Sequence, residues 1–228
     1  MRTVKVKICG IANEEDLYTV CSLGADAVGF VVGAPYSSRN LSVERVKRLM
    51  EAVPSHVTSV LVMVPKNLEK IVELYMLLKP DVIQIHGDIP ELSTLKDRLP
   101  NIPIIRAVAV KSPDDVESII KEVALFDAIL VDTFTPNRHG GTGRVHDWNI
   151  SKQIREVIYP MPLILAGGLN PENVKQAVSL VKPYAVDVSS GVESRPGVKD
   201  ARKVEAFIRE AKAIAFPYGY GNVKLYGG

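Results

Sequence analysis

Short runs of β-branched and aliphatic residues recur along the chain, at 4–9, 26–32, 57–64, 82–86, 104–108, 127–132, 162–166 and 184–189. Each is followed by a stretch in which apolar residues return every three or four positions and charges collect on one side. That spacing predicts helices over 14–23, 43–52, 67–78, 91–98, 113–123, 149–157, 171–181 and 200–214. Strands that alternate with helices make βα units and a parallel sheet. Local chemistry at several helix starts agrees. Asn13 precedes Glu14 and Glu15, an N-cap before an acidic first turn. Ser112-Pro113-Asp114-Asp115 and Asn170-Pro171-Glu172 each set a cap residue before a proline at the first helical position.

Eight such units can close on themselves. The expectation is an α/β protein, a single-domain (β/α)8 TIM barrel over residues 1–215. An open, doubly wound sheet built from the same elements is the alternative. It loses support because no GxGxxG follows the first strand and no Walker loop is present. A length of 228 residues fits one such domain. Residues 216–228, FPYGYGNVKLYGG, form a C-terminal tail of open role beyond the last helix. The plain expectation for it is a docked or disordered terminus. The sharper one is a subunit contact or a cover for one end of the barrel.

In the first strand Val4, Val6 and Ile8 fall on one side of the pleat and Lys5, Lys7 and Cys9 on the other. In a parallel barrel this points Cys9 inward at the strand's carboxyl end, where such barrels place their chemistry. The carboxyl ends of the other strands bring Arg39, His86, Arg106, Asp132, Gly167-Gly168 and Ser189-Ser190-Gly191 to the same face. The two glycine-bearing turns after strands 7 and 8 suit a phosphate, because glycine lets the backbone approach an anion. Asp132 ends an apolar strand on the inward side, where partial burial raises a carboxyl pKa and suits a general acid. A helix cap or a salt-bridge partner would explain the same residue. The long stretch from Thr133 to Asp147, with Gly140-Gly141-Thr142-Gly143, reads as a lid or a substrate-lining loop.

Arg39 sits in the polar loop Pro35-Tyr36-Ser37-Ser38-Arg39-Asn40, either as a two-pronged carboxylate contact or as a surface arginine. Gln84 and His86 face inward on strand 4, His86 as a hydrogen-bonded wall residue of the substrate cavity in preference to a catalytic one. Asp187 faces inward beside strand 1, to neutralise Lys5 or Lys7 or to meet a substrate hydroxyl. Trp148 reads as a helix-packing residue. A nucleophilic Cys9 would need a base beside it, and no Cys/His pair is evident. As a general base it needs a reachable proton and some thiolate character, which Lys7 would favour. An inert buried thiol is the third option.

Composition narrows the partners. A net charge of +2 with scattered Lys and Arg makes no case for nucleic acid or an anionic membrane. No stretch reaches the roughly 18 apolar residues of a spanning helix. The N-terminus lacks a charged-then-apolar leader pattern, so a cytoplasmic protein is expected. Two cysteines are too few for a disulfide framework, and no cluster has metal-ligand spacing, so no metal is expected. The expected partner is a small-molecule phosphosugar substrate, bound by a monomer or homodimer.

VKICGI at 6–11, GADAVGF at 24–30, QIHG at 84–87, DTFTPNRHGGTGRVHDW at 132–148, AGGLNPENV at 166–174 and VDVSSGVESRPGVKD at 186–200 together carry a resemblance. The chain resembles the phosphoribosylanthranilate isomerases of tryptophan biosynthesis, up to about residue 214. The resemblance implies a (β/α)8 barrel and a cofactor-free Amadori rearrangement. The substrate would be N-(5-phosphoribosyl)anthranilate and the product 1-(2-carboxyphenylamino)-1-deoxyribulose 5-phosphate. It implies Cys9 as general base, Asp132 as general acid and Arg39 as the anthranilate carboxylate contact. Gly167, Gly168, Ser189, Ser190 and Gly191 would then hold the phosphate, with Asp187 near the ribose hydroxyls. The related isomerase of histidine biosynthesis, or a bifunctional relative, is the nearest alternative. Those barrels have an aspartate where Cys9 stands and a half-barrel duplication, and no clear repeat is visible here. An inactive phosphate-binding scaffold is the alternative from another class, and the retained Cys9 and Asp132 argue against it.

Overall fold

The computed structural model describes residues 2–89, 92–112, 114–133, 145–217, 219, 220, 223, 225 and 226. Eight parallel strands close into a barrel in sequence order: β1 (Lys5–Cys9), β2 (Ala27–Val32), β3 (Thr58–Met63), β4 (Val82–Ile85), β5 (Ile104–Val110), β6 (Ala128–Thr133), β7 (Leu163–Leu165) and β8 (Ala185–Val188). The last strand pairs with the first, Lys7 opposite Asp187 and Ile8 opposite Val188. The helices are α1 (Glu14–Ser22), α2 (Val43–Glu51), α3 (Leu68–Leu78), α4 (Leu95–Arg98), α5 (Asp115–Glu122), α6 (Trp148–Ile158), α7 (Val174–Val181) and α8 (Ala201–Lys212). The closed barrel, rather than the open sheet, is the fold.

Strand and helix order follow the expectation, and the ends differ for local reasons. Strand β5 runs on to Val110 because its ladder with β6 continues to Thr133. Helix α4 is one turn, preceded by a 3-10 turn over Leu92–Thr94. Asn13 caps α1 as expected, its side chain accepting from the Asp16 N–H. Asn170 and Ser112 do not cap. Asn170 accepts from the N–H groups of Glu172 and Asn173 and so stabilises a turn, which delays α7 to Val174. Asp115 folds back to accept from the N–H groups of Lys111 and Ser112, and α5 begins there.

The period-2 pleat divides the strands between two apolar layers. Val6, Ile8, Val28, Phe30, Leu61, Ile83, Ile129 and Val186 face the helices, and Trp148 packs at the edge of this layer. Ala27, Val31, Val60, Val62, Val82, Ile105, Ala107, Ala128, Leu130 and Ile164 fill the barrel interior. Among the inward residues Lys7 and Asp187 are charged and buried.

Three of the described tail residues join the interior layer. Tyr220, Leu225 and Tyr226 are buried with Tyr184, which immediately precedes β8 and marks the amino-terminal end of the barrel. The Tyr226 N–H donates to the Tyr184 hydroxyl at 3.1 Å, and the Tyr220 ring meets Tyr184 edge-on at 5.5 Å. The Arg2 guanidinium lies over both Tyr184 and Tyr220. A short antiparallel ribbon of Arg2–Thr3 with Ala215–Phe216 leads the chain there. The described part of the tail thus lies against the end opposite the strands' carboxyl termini, where a cover would sit.

Candidate active site

At the carboxyl ends of the strands a cavity opens to solvent. Cys9, Arg39, His86, Asp132, Gly167, Gly168, Asp187, Ser189, Ser190 and Gly191 all line it, joined by Ser37 and Gln84. Of the residues that sequence groups at this face, all but one reach this cavity, drawn from β1, β4, β6 and β8 and from the turns after β2, β4, β7 and β8. Arg106 does not. Its neighbours Ile105 and Ala107 take the inward positions of β5, so its side chain turns outward to the Gly87 carbonyl and the Asp88 carboxylate.

Beneath Cys9 lies the buried pair Lys7–Asp187, Nζ to Oδ1 at 2.9 Å. Lys5 pairs instead with Asp26, so of the two lysines on this face of the strand Asp187 neutralises Lys7. The barrel makes room for this pair and the thiol through Gly29 on β2. A Cβ there would come 2.9 Å from the Cys9 sulfur and 3.2 Å from Lys7 Cε. Burial pushes the Cys9 thiol pKa up, with Asp187 adding to it, and Lys7 and Lys199 pull it down without overcoming that. The Lys7 effect has the direction expected from sequence, but desolvation wins, and the unliganded protein carries Cys9 chiefly as the thiol. Burial lowers the Lys7 ammonium, yet Asp187 and Cys9 together bring its net shift upward.

Asp132 stands three strands away round the wall. Burial raises its carboxyl to about 6, with Asp187 adding to the rise and the Thr133 N–H and Lys7 opposing it. The Thr133 N–H donates to Oδ1 at 2.7 Å and fixes the carboxyl's rotation. Gly167, at φ +83°, lets the β7 turn press against this corner: a Cβ would come 2.3 Å from Thr133 Oγ1 and 2.9 Å from Asp132 Oδ1. Gly191 has a packing role as well, since a Cβ would meet the Leu169 carbonyl oxygen at 1.9 Å. Two turns read from sequence as a phosphate cradle are thus also pressed into each other. On the wall, Gln84 Nε2 lies 2.8 Å from His86 Nε2.

Sequence reasoning missed His146. Its Nδ1 lies 3.0 Å from Thr133 Oγ1 and its Nε2 2.6 Å from Ser151 Oγ, while its backbone N–H donates to Thr133 Oγ1. Burial lowers its pKa to about 4, so it is neutral at physiological pH. It ties Thr133, beside Asp132, to the start of α6. The lid or lining loop expected between these points falls mostly on 134–144, outside the described residues. Glu193 and Lys199 were also missed, and no local pattern marks them. Among the described residues no group of three or more His, Cys, Asp or Glu is placed to hold a metal ion, and no helix is long and apolar enough to cross a membrane.

Comparison with known proteins agrees with this geometry. The family model for N-(5'-phosphoribosyl)anthranilate (PRA) isomerase matches residues 6–210. The N-(5'-phosphoribosyl)anthranilate isomerase of Methanothrix thermoacetophila is 42% identical over 92% of this chain and 98% of its own. The crystal structure of phosphoribosyl anthranilate isomerase from Thermotoga maritima superposes with a TM-score of 0.83 at 40% identity, over 92% of this chain and 100% of that one. A phosphoribosyl anthranilate isomerase in complex with reduced 1-(o-carboxyphenylamino)-1-deoxyribulose 5-phosphate matches with a TM-score of 0.80 at 39% identity, over the same shares. The matched region contains all the cavity residues named above, and with it this chain belongs to the N-(5'-phosphoribosyl)anthranilate isomerase family.

Proposed function

We infer that this chain converts N-(5-phosphoribosyl)anthranilate to 1-(2-carboxyphenylamino)-1-deoxyribulose 5-phosphate in tryptophan biosynthesis, with Asp132 as general acid and Cys9 as general base. The observation that carries the assignment is the meeting of a thiol and a carboxyl of pKa about 6 in one cavity. A carboxyl poised near neutrality can donate a proton that an ordinary aspartate has already lost.

Asp132 protonates the furanose ring oxygen as the C1–O bond breaks, and the anthranilate nitrogen lone pair forms the C1=N iminium. That cation acidifies the proton on C2. Cys9, as the thiolate formed when its own proton passes to solvent water in the open cavity, takes it, and the electron pair of the C–H bond neutralises the iminium to give an enolamine, which tautomerises to the ketone. The high thiol pKa is compatible with this order. The iminium forms beside Cys9, and its positive charge favours the thiolate at the moment a base is needed. Ordinary thiol tuning by Lys7 alone would leave too little base.

The turns at Gly167-Gly168 and Ser189-Ser190-Gly191 take the phosphate, and Arg39 takes the anthranilate carboxylate. Fixing both ends presents the ring oxygen and C2 to their partners. Asp187 holds Lys7 and stands near the ribose hydroxyls, and His86 with Gln84 completes the wall. The reading carries a cytoplasmic enzyme that is a monomer or homodimer and uses no cofactor.

Anthranilate fluorescence, followed with the labile substrate generated in situ, tests the activity directly. Absence of turnover would reject the reading, and a parallel assay with the histidine-pathway substrate detects a second activity. Arg39→Ala is expected to raise KM by about 10–100-fold, the worth of a charged hydrogen-bonded contact, with a smaller change in kcat. An unchanged KM would remove Arg39 from the carboxylate. Gly29→Ala is expected to cut kcat by about 10²-fold, because the added methyl displaces the Cys9 sulfur from its line to C2. Native kcat in a folded Gly29→Ala protein would show that the position of the thiol is not critical.

A further inference from the structure

Arg39 comes from a loop, and a long loop side chain does not hold a fixed direction unaided. Its stem lies across Gly10, where a Cβ would come 2.4 Å from Arg39 Cδ, so only a glycine permits that path. Its head is gripped by Glu193. Nε donates to Oε1 at 2.7 Å and Nη2 to Oε2 at 2.6 Å. This two-pronged bond uses one edge of the guanidinium and leaves the Nη1/Nη2 edge as the remaining forked donor pair. Glu193 is in turn held by Lys199, whose Nζ donates to Oε1 at 3.0 Å, to the Cys9 carbonyl at 2.7 Å and to the Ser189 carbonyl at 3.2 Å. The side chains of Glu193 and Lys199 are 5% and 1% exposed. Both stand on a short hairpin, Glu193–Arg195 paired with Val198–Lys199, that follows β8. The Lys199 N–H is anchored to Asp16 of α1.

Burying an anion and a cation costs stability unless both are paired and hydrogen-bonded, and here both are. One ammonium joins the end of the Cys9 strand, the Ser189 turn and the carboxylate that aims Arg39. We propose that Glu193 and Lys199 are positioning residues for substrate recognition: Glu193 locks Arg39 so that its free fork meets the ring carboxylate of the substrate, and Lys199 ties that fork to Cys9 and to the phosphate turn. The pair thereby sets the spacing between carboxylate anchor, base and phosphate anchor. The proposal rests on Arg39 as the carboxylate contact.

Two ligands separate the roles by calorimetry: reduced 1-(o-carboxyphenylamino)-1-deoxyribulose 5-phosphate, and its counterpart lacking the ring carboxylate. Arg39→Ala and Glu193→Gln are each expected to weaken the carboxylated ligand by about 10-fold or more and the counterpart by less than about twofold. The double variant is expected to bind as Arg39→Ala alone, because Glu193 acts through Arg39. If Glu193→Gln fails to fold, Glu193→Asp keeps the charge against Lys199 but shortens the reach. Selective weakening of about threefold or more is then expected. Full discrimination retained by Arg39→Ala would reject the carboxylate reading, and the proposal with it. Selective loss in Arg39→Ala but native discrimination in the folded Glu193 variant would overturn the proposal and leave that reading intact. Equal weakening of both ligands in the Glu193 variant would also overturn it, as the mark of general support to the fold.

Discussion

Cys9→Ala is expected to lower kcat by about 10²–10⁴-fold, the usual contribution of a positioned general base, with KM changing little. In the proposed mechanism the thiol meets the C2 proton and neither anchor of the substrate, so its loss is expected to fall on the chemical step. Cys9→Ser is expected to fall as far. A serine hydroxyl fits the space beside Gly29 but ionises at a far higher pH, and the iminium cannot bring it into range. The two variants together separate a base from a space-filler, since serine would restore packing and polarity without basicity. Wild-type turnover with substrate deuterated at C2 should show a primary isotope effect wherever proton removal limits the rate. An alanine variant retaining kcat within about tenfold of native would take the base role away from Cys9.

The second large effect belongs to Asp132→Asn. The amide cannot protonate the ring oxygen, and kcat is expected to drop by about 10²–10⁴-fold while the reduced product still binds. The same substitution has an opposite effect on stability, and its pH dependence reports the carboxyl directly. Asp132 titrates near 3.8 when unfolded and at about 6 in the folded protein. A raised folded value means that the favourable, protonated form is fully present below about 3.8 and is lost as pH rises through about 6. Above that, the wild type carries a buried charge that asparagine does not. The denaturant midpoint of Asp132→Asn is therefore expected to exceed the wild-type value by a margin that grows between pH 4 and pH 6 and then levels off. A margin independent of pH across that window would mean that the carboxyl is not raised. Loss of activity joined to gain of stability is the signature of a group kept in an unfavourable environment for its chemistry.

Much of the site was legible because strand parity is local. Counting by two from the apolar residues places Cys9, Gln84, Asp132 and Asp187 inward with no knowledge of the neighbours, and all of them line the cavity. The same counting applied to β5 turns Arg106 outward, and grouping it with the site by its place near a strand end alone overlooked that. Helix starts were less legible. Asn170 and Asp115 satisfy backbone groups in turns, and whether a polar side chain caps a helix or a turn depends on a path set several residues away.

By itself, the sequence determined the order of eight βα units, the inward parity of Asp132 and Cys9, and the glycine turns at the strands' carboxyl ends. Each follows from a repeat of two or about 3.6 residues or from a backbone preference, all short-range properties. Only the tertiary structure decided which lysine Asp187 neutralises, that Gly29 makes room for the Cys9 sulfur, that Glu193 rather than solvent holds Arg39, and that burial outweighs Lys7 at the thiol. Arg39 and Glu193 are 154 residues apart, and Lys7 and Asp187 are 180 apart. Such pairs exist only once β8 closes on β1. Closure also withdraws water from the interior, and electrostatic effects there depend on distance and dielectric, which no local pattern encodes.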